Sequence, residues 1–214
     1  MPKKTKKKTV QMNPTRRTKS ELKVLDAAIT LFARHGYGDI NVREIAEEAG
    51  VTKMTLYRGF ENKDVLFDQV LEEVVKRSFD PSQFLRVLYD DKTGDTHKPW
   101  LQSALKRWYS SLPVSSAKLL IHALLCHRDD WRSSAMTALD NLVSVVTTAI
   151  HRHFPGKESQ NRVAPNTVAK AVVLMLLQVK ILSPEAHTTS NKRQKQEDAD
   201  VDLLLDYCLS GIDG

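Results

Sequence analysis

Apolar residues recur at helical spacing nearly everywhere from Ser20 onward, and no alternating stretch of any length indicates a strand. The pattern therefore predicts an all-α protein. Thr18, followed by Glu21, predicts a capping box at the start of the first helix, which Gly36 and Gly38 should end. The expected buried stripe of this helix consists of Leu22, Leu25, Ile29 and Phe32.

A second, shorter helix is predicted directly afterwards. Asn41 with Glu44 repeats the signature of a capped helix start, and Gly50 should end the helix after about two turns. The buried side is expected to contain Val42, Ile45, Ala46 and Ala49.

A third helix is predicted from Thr52, and its outer face is polar and basic. Val51 and Leu56 have the spacing of a hydrophobic staple, and Phe60 lies one turn beyond. The residues that fall on faces turned away from these anchors are Lys53, Met54, Tyr57 and Arg58. Two short helices joined by a glycine turn are a common packing unit, but this outer face favours a helix-turn-helix that inserts its second helix into DNA.

The remainder of the chain is also predicted to be helical. A helix capped by Asn62 should span about 63–79. Further helices are expected at about 99–111, 114–128, 131–153, 166–182 and 201–212. Segment 90–99 has the composition of a loop, and residues 183–200 are expected to be polar and unstructured.

Charge is distributed unevenly along the 214 residues. Residues 1–20 carry eight Lys or Arg residues and no acidic residue, so the net charge of +6 leaves −2 for residues 21–214. A basic arm of this kind can add phosphate contacts, but it can equally be a solubilising tail or a localisation signal.

The two cysteines and the hydropathy of the chain indicate the cellular compartment in which the protein is expected. Cys126 and Cys208 are not in a CxxC pair, so we expect two buried thiols in a reducing compartment. No run approaches the roughly twenty apolar residues of a membrane span, and no secretory signal is evident. A soluble, cytoplasmic protein without membrane contact is expected.

The segment INVREIAEEAGVTKMTLYRGFENKDVLF, preceded by a helix that ends LFARHGYG, resembles the N-terminal DNA-binding domain of the TetR family of bacterial transcriptional regulators. The resemblance covers about residues 20–70. After the basic, disordered tail expected at 1–17, it implies a three-helix helix-turn-helix domain at 18–62 and a larger helical effector-binding and dimerisation domain at 63–214.

This resemblance further implies a homodimer that binds a palindromic double-stranded operator and represses transcription until a small-molecule effector releases it. The implied DNA-binding residues are Arg43, Thr52, Lys53, Thr55, Tyr57, Arg58 and Lys63. Tyr57 and Lys63 are expected on phosphates, and Lys53 and the threonines on base edges. For Tyr57, packing against the first helix is the alternative.

Gly59 departs from the family, which most often has a histidine or an aromatic residue at this point. Glycine costs about 1 kcal/mol relative to alanine inside a helix, but it is favourable where a helix ends in positive φ. We therefore expect the recognition helix to stop at Arg58.

Aromatic and sulfur-containing residues of the second domain are the candidates for an effector pocket. They are Phe84, Trp100, Leu101, Trp108, His122, Cys126, Trp131, Met136 and Met175. Each could equally be ordinary core. His122, Cys126 and His127 could suggest a metal or redox sensor, but they have no acidic or further cysteine neighbours, so no metal is expected.

Two helices are expected to form the dimer interface. In 166–182 the stripe is Val168, Val172, Leu176 and Val179, and in 201–212 it is Leu204, Leu205 and Cys208. Burial within the monomer is the alternative.

Two other function classes compete with a DNA-binding regulator. An enzyme lacks support, because no phosphate-binding loop is present and His151 and His153 have no nucleophile at useful spacing. No cofactor is expected. The remaining alternative is a helical effector-binding or protein-interaction module without specific DNA binding.

Overall fold

The computed structural model describes residues 17–82, 85, 97–153, 164–182 and 191–213, and within this part of the chain no strand is present. The all-α prediction is confirmed. The helices are α1 (Lys19–Asp39), α2 (Val42–Glu48), α3 (Lys53–Gly59), α4 (Lys63–Ser78), α5 (His97–Ser111), α6 (Val114–Leu125), α7 (Asp129–His153), α8 (Pro165–Leu182) and α9 (Asn191–Asp213).

The first helix begins as predicted but ends differently. The Thr18 side chain accepts from the Glu21 backbone N–H, and the Glu21 side chain accepts from the Thr18 N–H, which completes the capping box. Gly36 interrupts the helix at φ 82° and ψ 167°, yet helical structure continues to Asp39. Leu22 is exposed, so its place in the predicted buried stripe is wrong, and Val24 is buried instead.

The turn between α2 and α3 satisfies the carbonyl groups at the end of α2. Gly50 has φ 64°, and its N–H donates to the Glu47 carbonyl at 3.1 Å. The Val51 N–H donates to the Ala46 carbonyl at 2.9 Å. These two bonds form a Schellman motif, which requires a left-handed residue at Gly50. The predicted helix stop at Gly50 is therefore confirmed.

Gly59 does not end α3 as expected. It is the last residue of the helix, and the positive-φ glycines among the described residues are Gly36 and Gly50. The backbone leaves the helix at Phe60, whose φ is −136° and whose N–H donates to the Leu56 carbonyl at 2.8 Å. The prediction that the helix stops at Arg58 is wrong by one residue.

A different contact explains the glycine. A Cβ atom placed on Gly59 would lie 3.1 Å from Cγ and 3.4 Å from Oε1 of Glu21. Glu21 is fixed near Gly59 by the capping box of α1. The end of the recognition helix thus approaches the start of α1 at a distance that leaves little space for a side chain.

Helix α4 connects the N-terminal helices to the rest of the protein. Asn62 caps it, and its buried residues pack on α1, α6 and α7. Arg17, the last residue of the predicted tail, forms an ion pair with Glu73 of α4. The domain limits 1–17, 18–62 and 63–214 stay a prediction, and residues 1–16 lie outside the described part.

The C-terminal half is a bundle in which α8 packs between α7 and α9, while α9 also contacts α5. Helix α9 starts at Asn191, so the prediction that residues 183–200 are unstructured is wrong for 191–200. Tertiary contacts hold this segment and its continuation. The Tyr109 hydroxyl donates to Glu197, and Lys106 Nζ lies 2.6 Å from a carboxylate oxygen of Asp202.

Residues 97–99 are helical rather than loop, whereas residues 90–96 lie outside the described part. Among the described residues, α8 is the one helix that is long and apolar enough to cross a membrane by length and composition. Its 18 residues include Lys170, Gln178 and Lys180, so it is not the continuous apolar run of a membrane span. A core helix passes the same test, and α8 buries Ala169, Val172, Val173, Leu176 and Leu177 inside the bundle.

Candidate nucleic-acid interface

Helix α3 is held on the domain by three apolar residues. Leu56 and Phe60 are fully buried, and Val51 is half-buried against the same core. Thr52 caps the helix, and its hydroxyl accepts from the Thr55 N–H at 3.1 Å. Burial of these anchors on one side fixes which side of α3 faces outward.

The outward side carries the residues predicted to contact DNA. Lys53, Tyr57 and Arg58 are exposed, and Thr55 is half-buried. Lys53 Nζ lies 5.7 Å from the centroid of the Tyr57 ring, close enough for a cation–π contact. Neither Lys53 nor Arg58 forms an ion pair with another described residue, so both charges are available to an anionic partner.

Two hydroxyl groups lie at the start of this surface. Thr52 Oγ1 and Thr55 Oγ1 are 2.9 Å apart, so one hydroxyl donates to the other. Because a hydroxyl both donates and accepts, this pair can address a base edge or a phosphate oxygen.

Met54 belongs to the same surface but is not in the predicted set of contacts. Its side chain is 83% exposed, the largest exposed fraction among the large apolar residues that the structure describes. An apolar side chain on a basic surface can contact a thymine methyl group. Its position away from the Leu56 anchor was the signal that pointed to it.

Arg43 on α2 is exposed and lies beside Glu47. Its Nε is 2.8 Å from Glu47 Oε1, and this hydrogen bond, together with the charge of Glu47, raises the pKa of Arg43. An exposed i,i+4 pair of this kind is weak, so Arg43 can exchange Glu47 for a phosphate at little cost.

Lys63 is placed differently from the other predicted contacts. It is half-buried, with Nζ 4.3 Å from the Tyr37 ring centroid and 6.0 Å from that of Phe32. Burial lowers the pKa of Lys63, partly offset by Asp64, Glu44 and Asp39. The Lys63 ammonium thus already has an intramolecular partner in the ring of Tyr37.

The matching family model, described as bacterial regulatory proteins of the tetR family, covers residues 24–70, which contain α2, α3 and most of α1. This segment belongs to the TetR family. The HTH-type transcriptional repressor KstR2 of Rhodococcus jostii is 41% identical over 99 residues, which are 46% of each of the two proteins.

The likeness to solved TetR-family structures extends along most of the chain. A TetR-like transcriptional regulator from Rhodococcus sp. RHA1 covers 93% of this chain with a TM-score of 0.66 and 21% identity, and 98% of that chain is matched. FadR of Bacillus subtilis, solved with stearoyl-CoA, covers 89% of this chain and is itself matched over 98%, with a TM-score of 0.61 and 19% identity. At these identities the likeness concerns the fold.

The curated relatives match over a shorter range. The chain covers 30% of the transcriptional regulator YvkB of Bacillus subtilis and 46% of KstR2, so it spans less than half the length of either.

The residues predicted to line an effector pocket lie in different surroundings within the described part of the chain. Leu101 and Trp108 are buried in the core, and the Trp108 Nε1–H donates to the Ser78 carbonyl at 3.4 Å. Met136 and Met175 are exposed, and Met175 lies beside Cys208. Trp100 is half-buried against the core, and Phe84 lies outside the described residues.

The three residues considered for a metal or redox sensor also lie in different surroundings. His122 and Cys126 are half-buried, and His127 is exposed. The described residues contain no group of three or more His, Cys, Asp or Glu side chains that could hold a metal ion. The Cys126 Sγ donates to the Ala123 carbonyl at 3.1 Å, and both cysteines are half-buried and unpaired rather than fully buried.

Trp131 is the exception among the predicted pocket residues. It lines a groove of about 700 Å³ between α4 and α7, and its Nε1–H donates to Asp68. Its ring centroid is 4.3 Å from Phe67 and 4.8 Å from Tyr37. The groove therefore borders an aromatic cluster that joins the N-terminal helices to the second domain.

A polar contact reinforces the same junction. Asp64, in the first turn of α4, accepts from the Tyr37 hydroxyl of α1 and from Arg128 Nη1 at 2.8 Å. Arg128, which directly precedes α7, also binds Asp130 at 2.7 Å. These hydrogen bonds lower the pKa of Asp64, and they tie α1, α4 and α7 together at one point.

Proposed function

We propose that this TetR-family chain is a sequence-specific DNA-binding transcriptional regulator, a repressor that a small-molecule effector releases from a palindromic operator. The observation that carries the proposal is the exposed face of α3, where Lys53 and Arg58 lie opposite the buried anchors Leu56 and Phe60. A short helix with this face matches the docking element of a helix-turn-helix.

The residues of this face divide into two roles. We assign base reading to Lys53, Thr52 and Thr55, because ammonium and hydroxyl groups can reach base edges from a helix in the major groove. Tyr57, Arg58 and Arg43 are assigned to phosphates, where they fix the register of the helix on the duplex.

Lys63 is retained as a phosphate contact, with a smaller share of the affinity. Its ammonium already lies 4.3 Å from the Tyr37 ring centroid, and it is half-buried. Binding a phosphate would replace this contact rather than satisfy a free charge.

The release by an effector rests on the second domain. KstR2 is named a repressor, and the FadR structure holds stearoyl-CoA, which supports a ligand-responsive repressor of the same fold here. Effector binding changes DNA affinity only if the effector binds the DNA-competent and the released conformations unequally. The junction at Asp64 is the contact through which we infer that α4 transmits this difference.

We further propose a homodimer formed by α8 and α9. The stripes predicted for the interface are largely inside the monomer, since Val172, Leu176 and Leu205 are fully buried. Other apolar residues of the same helices are exposed, and they supply the apolar surface instead. They are Leu174, Met175, Leu182, Leu203 and Tyr207.

Two alternatives remain to be compared with this proposal. A protein-interaction module without specific DNA binding would have no use for an unpaired basic face on α3. An enzyme has no support from the relatives, whose printed names are those of regulators. We propose a cytoplasmic site of action, as expected for a protein that binds bacterial DNA.

Site selection from random duplexes, followed by binding at increasing salt, tests the proposal. We expect a palindromic site that retains specificity while the affinity for all duplexes falls steeply with salt. Truncation before Arg17 keeps the ion pair with Glu73. If residues 1–16 contact phosphates, this truncation should lower the affinity for all duplexes alike and make that affinity less dependent on salt. Failure to select any site at moderate salt would contradict the proposal.

A further inference from the structure

The groove between α4 and α7 has apolar walls. Leu71 and Phe79 of the α4 side are buried, Val75 is half-buried, and Trp131 and Ala138 close the α7 side. A volume of about 700 Å³ lies within the range that accommodates drug-sized ligands. An apolar body of that size could therefore bury much of its surface here.

The polar residues of the groove are mostly acidic. Asp68, Glu72, Asp80 and Asp130 line it, against the single described ammonium of Lys76. Anionic ligands would meet these carboxylates at close range, where like charges repel.

The positive charges nearby are already shared. Arg128 binds both Asp130 and Asp64, and it is the cation that acts on Asp68 as well. Arg17 Nη2 lies 3.9 Å from Glu72 Oε2, but the shorter ion pair of Arg17 is with Glu73. One guanidinium thus serves three carboxylates at the junction, which leaves a local excess of negative charge.

Asp68 is a carboxylate of the groove that no described ion pair compensates. Its described hydrogen-bond donor is the neutral indole N–H of Trp131. Burial is the main cause that raises the pKa of Asp68, and the neighbouring Asp130 and Asp64 raise it further. A positive charge beside Asp68 would stabilise its ionised form.

We propose that this groove binds a small organic cation with an apolar body. The charged group lies against Asp68, and the apolar body lies along Leu71, Val75 and Phe79. This inference names the ligand class for the effector site, and so it rests on the proposed function. A fatty acyl-CoA, whose phosphates are anionic, does not match the charge of this groove, although FadR of the same fold holds one.

Two ions of the same shape and opposite charge test the proposal on the full chain. Tetraphenylphosphonium and tetraphenylborate are compared in sodium buffer by calorimetric titration. We expect the phosphonium to bind at least about tenfold more tightly than the borate, because the charge of the groove discriminates between them.

Variants place the binding in the groove. Asp68→Asn keeps an acceptor for the Trp131 N–H and should weaken phosphonium binding about tenfold, whereas Lys76→Gln should strengthen it. Asp140→Asn removes an exposed carboxylate of α7 outside the groove. It should change neither the affinity for the phosphonium nor that for the borate. Circular dichroism checks that each variant is folded.

Equal binding of the two ions, no binding of either, or unchanged binding by Asp68→Asn would overturn the proposal. The measurement contains no DNA, so it does not depend on operator binding. Selective phosphonium binding by a protein that selects no operator would contradict the proposed function and leave the cation site standing. Release of the selected operator by the phosphonium would link the two.

Discussion

Replacing Gly59 by alanine tests whether Glu21 explains the glycine at the end of the recognition helix. Alanine is favoured over glycine inside a helix by about 1 kcal/mol. The new Cβ, however, would lie 3.1 Å from Cγ of Glu21, so the Glu21 side chain must shift by a few tenths of an ångström. That shift disturbs the capping box of α1, whose loss costs about 1 kcal/mol.

The two effects have opposite signs, so Gly59→Ala alone should change the free energy of unfolding by less than about 0.5 kcal/mol. In a Glu21→Ala background the obstruction is gone, and the same substitution should stabilise the protein by about 0.5–1 kcal/mol. The expected coupling between the two sites is therefore about 0.5–1 kcal/mol, a size that a double-mutant cycle resolves.

Urea unfolding followed by circular dichroism measures the four proteins of this cycle. Gly38→Ala is the matched control, because Gly38 lies in α1 and a Cβ there would meet no heavy atom within 4 Å. Its effect should be the same with and without Glu21. If Gly59→Ala stabilised both backgrounds equally, the contact with Glu21 would not be the reason for the glycine.

Three further predictions concern the junction and the dimer. Tyr37→Phe removes the hydroxyl that donates to the Asp64 carboxylate. It should lower the free energy of unfolding, measured in urea, by about 1–2 kcal/mol. An unchanged midpoint of urea unfolding would argue against this bond. Hydrogen bonds donated by Tyr37 and Arg128 lower the pKa of Asp64, and those donated by Arg128 bring the pKa of Asp130 to about 2. The stabilisation that these bonds give should be complete above the ordinary pKa of 3.8 and lost as the pH falls towards 2, as acid titration of stability would detect. Leu203→Glu, at a residue that is 72% exposed in the monomer, should shift the mass measured by light scattering from dimer to monomer without loss of helix, and a persistent dimer would exclude this surface.

The N-terminal helices could be predicted closely because their start signals are local. A side chain at Thr18, Asn41, Thr52 or Asn62 bonds backbone groups within three residues, so neighbouring sequence decides the outcome. The positive φ of Gly50 follows from the same local logic.

Long-range contacts explain the predictions that were wrong. Residues 191–200 have a polar composition, and they are helical in a structure where Tyr109 contacts Glu197 and Lys106 contacts Asp202. The reason for Gly59 is a contact with Glu21, which is distant in sequence. Local propensity contains neither piece of information.

The predicted pocket residues differ in their surroundings for a related reason. Helical spacing marks a residue as facing inward, but it does not distinguish a filled core from a groove. Trp108 and Trp131 have the same character in the sequence, yet only Trp131 of these two lines the groove. The carboxylates that give the groove its charge, such as Asp68, have a spacing typical of a solvated helix face.

The central claim is that the exposed face of α3 reads DNA sequence, and site selection with the variant Lys53→Ala tests it most directly. Loss of a base contact should cost about 1–3 kcal/mol and relax the selected sequence at a defined position in each half-site. Lys170→Ala, which removes an exposed ammonium of α8, is the control and should select the unaltered site. If Lys53→Ala selected the same sequence with the same preference at every position, the reading of DNA by this face of α3 would be contradicted.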